Sequence, residues 1–308
     1  MSNLTIVIPA YNESESLSTL LPELLVLCSE NCWNIIVVDD GSTDSTQELL
    51  GRFIQQSDLL LVLRHKLNRG YGGALKSGIQ QAKTEFVVTF DADGQHKVED
   101  IGNMLAFIQQ TGADMVVGAR QAESTRSVYR RAGKQIIRFI TSILVPNNIK
   151  DLNSGFKMYH TSLVHRYLRL CPDSMAFSDV ITLVFIRRKH LVLNFPIQVG
   201  ERAQGKSTIN TYTAIDTLYE LLNIIMLFNP MRIFLSVSVM CLAFGVLWGI
   251  PILMRGRGVS VGAMLAIVTG LIFFFLGLVA EQLAQIRLNS IEPAPDSDAA
   301  APPSTKHE

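Results

Sequence analysis

The chain has 308 residues, room for one large domain or two ordinary ones with an ample core. Its 27 lysines and arginines balance 27 aspartates and glutamates, which excludes a global field for nucleic acid. A 48% hydrophobic share and a mean hydropathy of +0.26 are high for a soluble protein, and the excess lies near one end.

The opening "MSNLTIVIPAYNE" lacks a basic region and meets a proline and an acidic residue early, so no secretory signal is expected. The N-terminal 200 residues are then expected in the cytosol. Residues 4–10 read as a strand, 14–30 as a helix and 34–40 as a second strand. A helix over 42–56 follows, opened by a Ser/Thr/Asp cap. Then come a strand at 59–65, a glycine-rich turn, a helix at 73–83 and a strand at 85–93. A helix at 98–110 and a strand at 114–120 complete the run. Apolar strands alternating with helices imply a mostly parallel sheet wrapped by helices, with ligands bound beyond the carboxyl ends of the strands. Cys28, Cys32, Cys171 and Cys241 form neither a disulfide framework nor a zinc-site spacing and read as small buried hydrophobes.

Two acidic clusters fall on that rim. "VVTFDADGQH" (87–96) ends a strand in Asp91 and Asp93, which repel each other and call for something positive between them. A plain turn accounts for the stretch taken alone, but "DD" at 39–40 stands at a second strand end of the same sheet. "PAYNE" (9–13) and "LNRGYGG" (67–73) share the rim, and glycines there let backbone approach a ligand closely. The dinucleotide fingerprint is missing after the first strand. A nucleotide diphosphate fits better, its phosphates screened by Mg²⁺ or Mn²⁺ on hard carboxylate oxygens.

"IVIPAYNE", "VVDDGSTDST", "NRGYGGALKSG" and "FDADGQH" resemble the nucleotide-diphosphate-sugar domain of family 2 glycosyltransferases. Within it they are most similar to the polyprenyl-phosphate mannose and glucose synthases. The resemblance continues through "GAR" (118–120), "DLNSGFKMY" (151–159) and "ERAQGKST" (201–208) and covers roughly residues 1–285. It implies a GT-A fold and a metal site at Asp91, Asp93 and Gln95. It also implies nucleotide-sugar contacts from Pro9, Tyr11, Glu13, Asp39, Asp40, Arg69, Gly70, Asp91 and Ala92, with Asp93, Arg120, Arg131 and Arg202 at the reacting centre. Neither Trp33 nor Trp248 stands in the QxxRW context of the processive branches, which argues against a polymer synthase.

A lipid monophosphate acceptor needs no general base, because it is largely a dianion above its second pKa of ~6. The site must instead stop two anions repelling each other, with metal on one side and arginines on the other. From Arg120 to Arg138 six basic residues face one acidic residue, Glu123. Arg130, Lys134 and Arg138 make one helical stripe beside Ile136, Ile137, Ile140 and Ile143, which reads as a membrane-surface helix. The acceptor phosphate is expected to meet Arg120, Arg130, Arg131, Arg202 and Lys206. "GERAQGKS" (200–207) fits the P-loop pattern letter for letter, yet downstream lie only apolar spans and a tail, so an NTPase is rejected. Asp179 reads as a base candidate or a helix N-cap, and His96 as a residue behind the metal site.

Met231 to Met254 and Val259 to Ala280 are apolar runs of 24 and 22 residues, long enough to cross a ~30 Å hydrocarbon core. The layout is therefore a cytosolic glycosyltransferase domain at 1–209 and a juxtamembrane amphipathic helix at 210–230. Two transmembrane helices follow within 231–285 (about 231–254 and 259–281), then a disordered tail at 286–308. The loop "RGRG" (255–258) would face outside against the positive-inside tendency, which a re-entrant hairpin would relieve. The expected activity is inverting transfer of one hexose from a nucleotide diphosphate sugar, GDP-mannose favoured, to a polyprenyl phosphate lipid. The rivals are transfer to a sugar hydroxyl and non-catalytic nucleotide-sugar binding at the membrane. Nothing in the chain fixes an oligomeric state, and a homo-oligomer stays open.

Overall fold

Runs of Val, Ile and Leu form the strands, and those at the centre of the sheet are buried along nearly every residue and covered on both faces. The first four are β1 (Leu4–Ala10), β2 (Asn34–Asp39), β3 (Leu60–Arg64) and β4 (Phe86–Thr89). Between and after them run α1 (Ser14–Asn31), α2 (Thr46–Ile54), α3 (Tyr71–Gln81) and α4 (Glu99–Thr111). Then follow β5 (Met115–Arg120), β6 (Lys157–His160), α5 (Thr161–Tyr167), a 3₁₀ turn at Leu168–Leu170, α6 (Phe177–Arg187) and β7 (Val192–Ile197). This computed structural model describes residues 3–120, 151–152, 154–198, 226, 230–256 and 258–289. The chain divides into two compact units, Met1–Asn210 and Thr211–Glu308.

The first unit holds one seven-stranded sheet in the order β3-β2-β1-β4-β6-β5-β7. Six strands are parallel, while β6 runs antiparallel to both its neighbours, pairing Lys157 with Thr89 on one side and Val117 on the other. Alternation along the strands sends Ile6, Ile8, Ile35 and Val37 to a core shared with Leu17 and Leu21 of α1 and Ile101 and Met104 of α4. Val7, Ile36 and Val38 point to the opposite face, where α3 packs on β1 and β2.

Three expectations change. The helix expected over 42–56 begins only at Thr46, because Ser42 to Asp44 spend their backbone N–H groups on Asp39 and Asn12 side chains. The strand expected over 85–93 ends at Thr89, leaving Phe90 to Asp93 free to turn across the sheet rim. β6 was not expected as a strand at all: at four residues it is too short to show a period. The expected interfacial helix around 126–143 lies outside the described residues, as do the P-loop-like segment and nearly all of 213–230.

The second unit contains α7 (Pro230–Met254) and α8 (Val261–Asn289), two candidate membrane spans. Only 11% and 17% of their most apolar windows is buried, so their outer faces are apolar and uncovered within this unit. They pack on small residues at heptad spacing: Ala263, Gly270, Gly277 and Ala284 on α8, Ser238 and Gly245 on α7. A Cβ on Gly270 would stand 3.0 Å from the Ser238 carbonyl oxygen, so backbone meets backbone closely here. α8 outlasts the expected end at residue 281, since Glu281 to Gln285 are good helix formers joined by an i,i+4 bond of 3.2 Å.

Candidate active site

A cavity of about 530 Å³ opens beyond the carboxyl ends of β1, β2, β4 and β5. Pro9, Tyr11 and Glu13 from the end of β1 line it, and Tyr11 is 47% exposed. Asn12 between them takes a left-handed backbone (φ 57°), and its side-chain oxygen accepts the Thr43 N–H at 2.8 Å. This stitches the first rim loop to the second.

The adjacent acids of β2 point to different tasks. Asp40 lines the cavity, and its carboxylate accepts the Arg69 N–H at 2.9 Å, the Gly70 N–H at 2.8 Å and His65 Nδ1 at 2.6 Å. His65 Nε2 in turn meets Ser77 Oγ at 2.9 Å, so a chain of bonds fixes this one carboxylate. Asp39 is 1% exposed and lies behind the wall; its Oδ1 accepts the Ser42 N–H at 2.8 Å, and Arg64 Nε stands 3.5 Å from its Oδ2. Asp40 thus faces the cavity, while Asp39 holds the loop that follows β2. Arg69 meets Asp40 through its backbone N–H.

Asp91, Ala92, Asp93, Gln95 and His96 line the far side of the cavity. Asp91 Oδ1 accepts the Tyr71 hydroxyl at 2.8 Å, and Asp93 Oδ1 accepts the Gln95 N–H at 3.1 Å across a turn whose Gly94 has φ +69°. Burial raises the Asp91 carboxyl above its ordinary pKa; the Tyr71 bond and His96 oppose this, and Asp93 adds to it. His96 packs against Phe156 and Phe90, and burial lowers its pKa. Among the described residues no three His, Cys, Asp or Glu side chains gather as a metal cluster. The two-carboxylate pair offers the hard oxygens that suit Mg²⁺ or Mn²⁺, and it faces the open cavity. Burying such a charge without a cation is costly.

Arg120, last residue of β5, also lines the cavity, and its Nε donates to Asp151 Oδ2 at 2.7 Å. Arg130, Arg131, Arg202 and Lys206 lie outside the described residues. Asp179 sits in the first turn of α6, where Ala176 rather than Asp179 is the N-cap, and it does not line the cavity.

The glycine-rich turn brings Gly70 to the cavity wall as expected, and it has a second purpose. Gly70 and Gly72 face the 172–174 loop: a Cβ on Gly70 would stand 2.6 Å from the Asp173 carbonyl oxygen, and one on Gly72 would overlap Pro172. Gly73 N–H donates to Asp173 O at 3.1 Å, and Lys76 ties down the Cys171 carbonyl at 2.7 Å. The glycines thus admit a distant loop, which carries Met175 and Ser178 to the cavity wall. Sequence reasoning assigned no role to Tyr71, His65, Asp151, Gly155 or Lys157. "NRGYGG" and "DLNSGFKMY" contain four of them, so the signal was the motif, without the pairing partners.

Residues 5–168, more than half of the chain, match the model of "Glycosyl transferase family 2". The chain belongs to glycosyl transferase family 2. Residues 229–286 of this family 2 chain match a second model, the "GtrB C-terminal hairpin". It is similar to the undecaprenyl-phosphate 4-deoxy-4-formamido-L-arabinose transferase of Edwardsiella ictaluri, 31% identical over 301 residues, 92% of this chain and 89% of that one. The Photorhabdus laumondii protein of the same name is 28% identical over 308 residues, covering 93% and 90%. In fold alone, the chain is similar to glucosyl-3-phosphoglycerate synthase from Mycobacterium tuberculosis, solved with Mn²⁺, UDP and glucosyl-3-phosphoglycerate. That likeness has a TM-score of 0.54 at 16% identity, covering 73% of this chain and 78% of that one. S. aureus TarS 1-349 with UDP-GlcNAc gives 0.51 at 18% identity, covering 73% and 66%.

Proposed function

We propose that this family 2 glycosyltransferase moves one sugar, with inversion, from a nucleotide diphosphate sugar to a polyprenyl phosphate at the cytosolic face of a membrane. The observation that supports it most is the union in one chain of the acidic cavity with an apolar hairpin, in an alignment to a polyprenyl-phosphate sugar transferase spanning 92% of the chain. Residues 1–209 form the catalytic domain in this reading, and 231–285 hold it to the bilayer with both helix ends cytosolic.

The nucleoside lies toward Tyr11 and Asp40, and the diphosphate toward Asp91 and Asp93. Those carboxylates, with Gln95, would hold Mg²⁺ or Mn²⁺, which when bound screens the diphosphate and stabilises it as a leaving group. The acceptor phosphate oxygen attacks the anomeric carbon from the face opposite the diphosphate. One C–O bond forms as the other breaks, and no proton has to be removed. Arg120, aimed by Asp151, neutralises charge between the two phosphates, and Arg130, Arg131, Arg202 and Lys206 extend that role. A hydroxyl acceptor would require a base, and Asp179, off the cavity wall beside the Lys157 cation, is poorly placed for one.

The test is direct. Purified full-length protein in detergent receives undecaprenyl phosphate, Mg²⁺ and radiolabelled GDP-mannose, UDP-glucose or UDP-N-acetylglucosamine. Label is expected in the lipid phase with one of these donors or with a pentose donor of the relatives' kind. Transfer only to soluble sugar hydroxyls, or none with any donor, would overturn the reading.

A further inference from the structure

Beneath the cavity lies a charge that the reaction does not use. Lys157, in β6, is 0% exposed, buried between the sheet and the helices on the α3 side. Its ammonium donates to two carbonyl oxygens, Leu152 at 2.6 Å and Ser178. Burial lowers its pKa to about 8, while Asp179 and then Asp151 pull it upward. Desolvating an ammonium is costly, and a well-packed apolar residue often replaces a buried ion without loss of stability. The charge therefore calls for a reason beyond packing.

The two carbonyls belong to different segments that border the cavity. Leu152 sits in the turn that carries Asp151, the partner of Arg120, and Gly155, which lies against Asp91 and Tyr71. That turn is fastened again where Thr89 Oγ1 donates to Gly155 O at 2.6 Å. Ser178 opens α6 and lines the cavity together with Met175. One ammonium thus joins the wall that aims a guanidinium to the wall built by α6.

We propose that Lys157 is a positioning residue for sugar transfer, holding Arg120, through the turn that carries Asp151, in register with α6 from below the cavity. This rests on the transfer reading given above. It predicts a loss in turnover rather than in nucleotide binding, because Tyr11 and Asp40 are fixed independently by the β1 and β2 loops. It also predicts coupling: once Lys157 no longer fixes the turn, Arg120 has lost most of its aim, so removing it costs little more.

The experiment is a double-mutant cycle on full-length protein, reading undecaprenyl-phosphate-dependent transfer, UDP and GDP binding by calorimetry, and thermal melting. Lys157→Met is expected to keep nucleotide affinity within about threefold and to lower kcat by roughly ten- to a hundredfold, with Arg120→Ala adding less than about threefold in that background. Lys157→Met turning over within twofold of wild type overturns the proposal, as do losses that multiply fully in the double variant. If the Met variant does not fold, Lys157→Gln takes its place in the cycle, with one amide donor retained. Failure of both to fold means a structural role alone and also overturns it. Wild-type protein that transfers no sugar would instead sink the transfer reading, which separates the two failures.

Discussion

Gly155 lies flush against the Asp91 carboxylate, so closely that a methyl group built on it would overlap Asp91 Oδ2 and stand 2.6 Å from the Tyr71 hydroxyl. The carboxylate is braced on one side by a phenol and on the other by bare backbone. Gly155→Ala must push Asp91 out of place. It is expected to lower transfer at least tenfold and raise the metal concentration needed for half activity, while the melting temperature stays within a few degrees. Titrating Mn²⁺ against rate for both proteins checks this.

Chelation should abolish transfer, and Mn²⁺ or Mg²⁺ should restore it. Asp93→Asn should lose activity by orders of magnitude and still fold, because it removes one of two repelling charges at a half-buried site. Transfer in excess EDTA, or near-normal turnover of the variant, would contradict the metal assignment.

His65 holds Asp40 through a 2.6 Å bond and reaches no ligand itself, as it does not line the cavity. A hydrogen bond to a charged group contributes ~1.5–3 kcal/mol, or roughly ten- to a hundredfold in binding. Asp40 keeps two backbone donors, so the low end applies. His65→Ala should weaken nucleotide affinity about tenfold and raise KM for the donor, with kcat at saturation little changed. A fall in kcat at unchanged KM would place His65 elsewhere in the scheme.

Lys206→Ala distinguishes an acceptor-phosphate role from a P-loop. On the present reading it cuts lipid-dependent transfer and leaves nucleotide binding nearly intact. Lipid-independent hydrolysis of ATP or GTP, lost only in this variant, would instead reveal a nucleotide-triphosphate site.

Gly270→Leu tests the hairpin. The added side chain meets Leu242 and the Ser238 carbonyl, so α7 and α8 should separate and the detergent-solubilised protein should melt at lower temperature. The protein should nonetheless resist carbonate extraction, because each helix is long and apolar enough by itself. Release into the soluble fraction would count against spanning.

Much of this was legible because strands and helices alternate with strong, distinct periods through residue 120. The rim position of Asp40, Asp91 and Asp93 followed from strand ends alone. What stayed hidden depended on partners far apart in sequence. Asp39 and Asp40 are identical in type and adjacent, and only the side to which each points separates them. Gly70 and Gly72 gave a true signal of close approach, but it did not show that the backbone near Asp173, about a hundred residues on, is also a partner. Lys157 sits in a four-residue strand that shows no periodicity, and a lysine there reads as exposed until the sheet is assembled.

That short antiparallel strand governs how the sheet comes together. β4 and β5 are successive in the chain, yet they do not pair with each other, because β6 fills the slot between them. β3, β2, β1 and β4 form a parallel block on their own, already bearing Asp40 and leading into Asp91. β5 and β7 form a second block, ending in Arg120. Within the sheet that four-residue strand alone joins the halves, and the donor side and the arginine side are expected to open as separate cooperative units in exchange with solvent. Native-state hydrogen exchange should find β5 and β7 opening together at lower free energy than β1 and β2, with the amides of residues 157–160 following the weaker block.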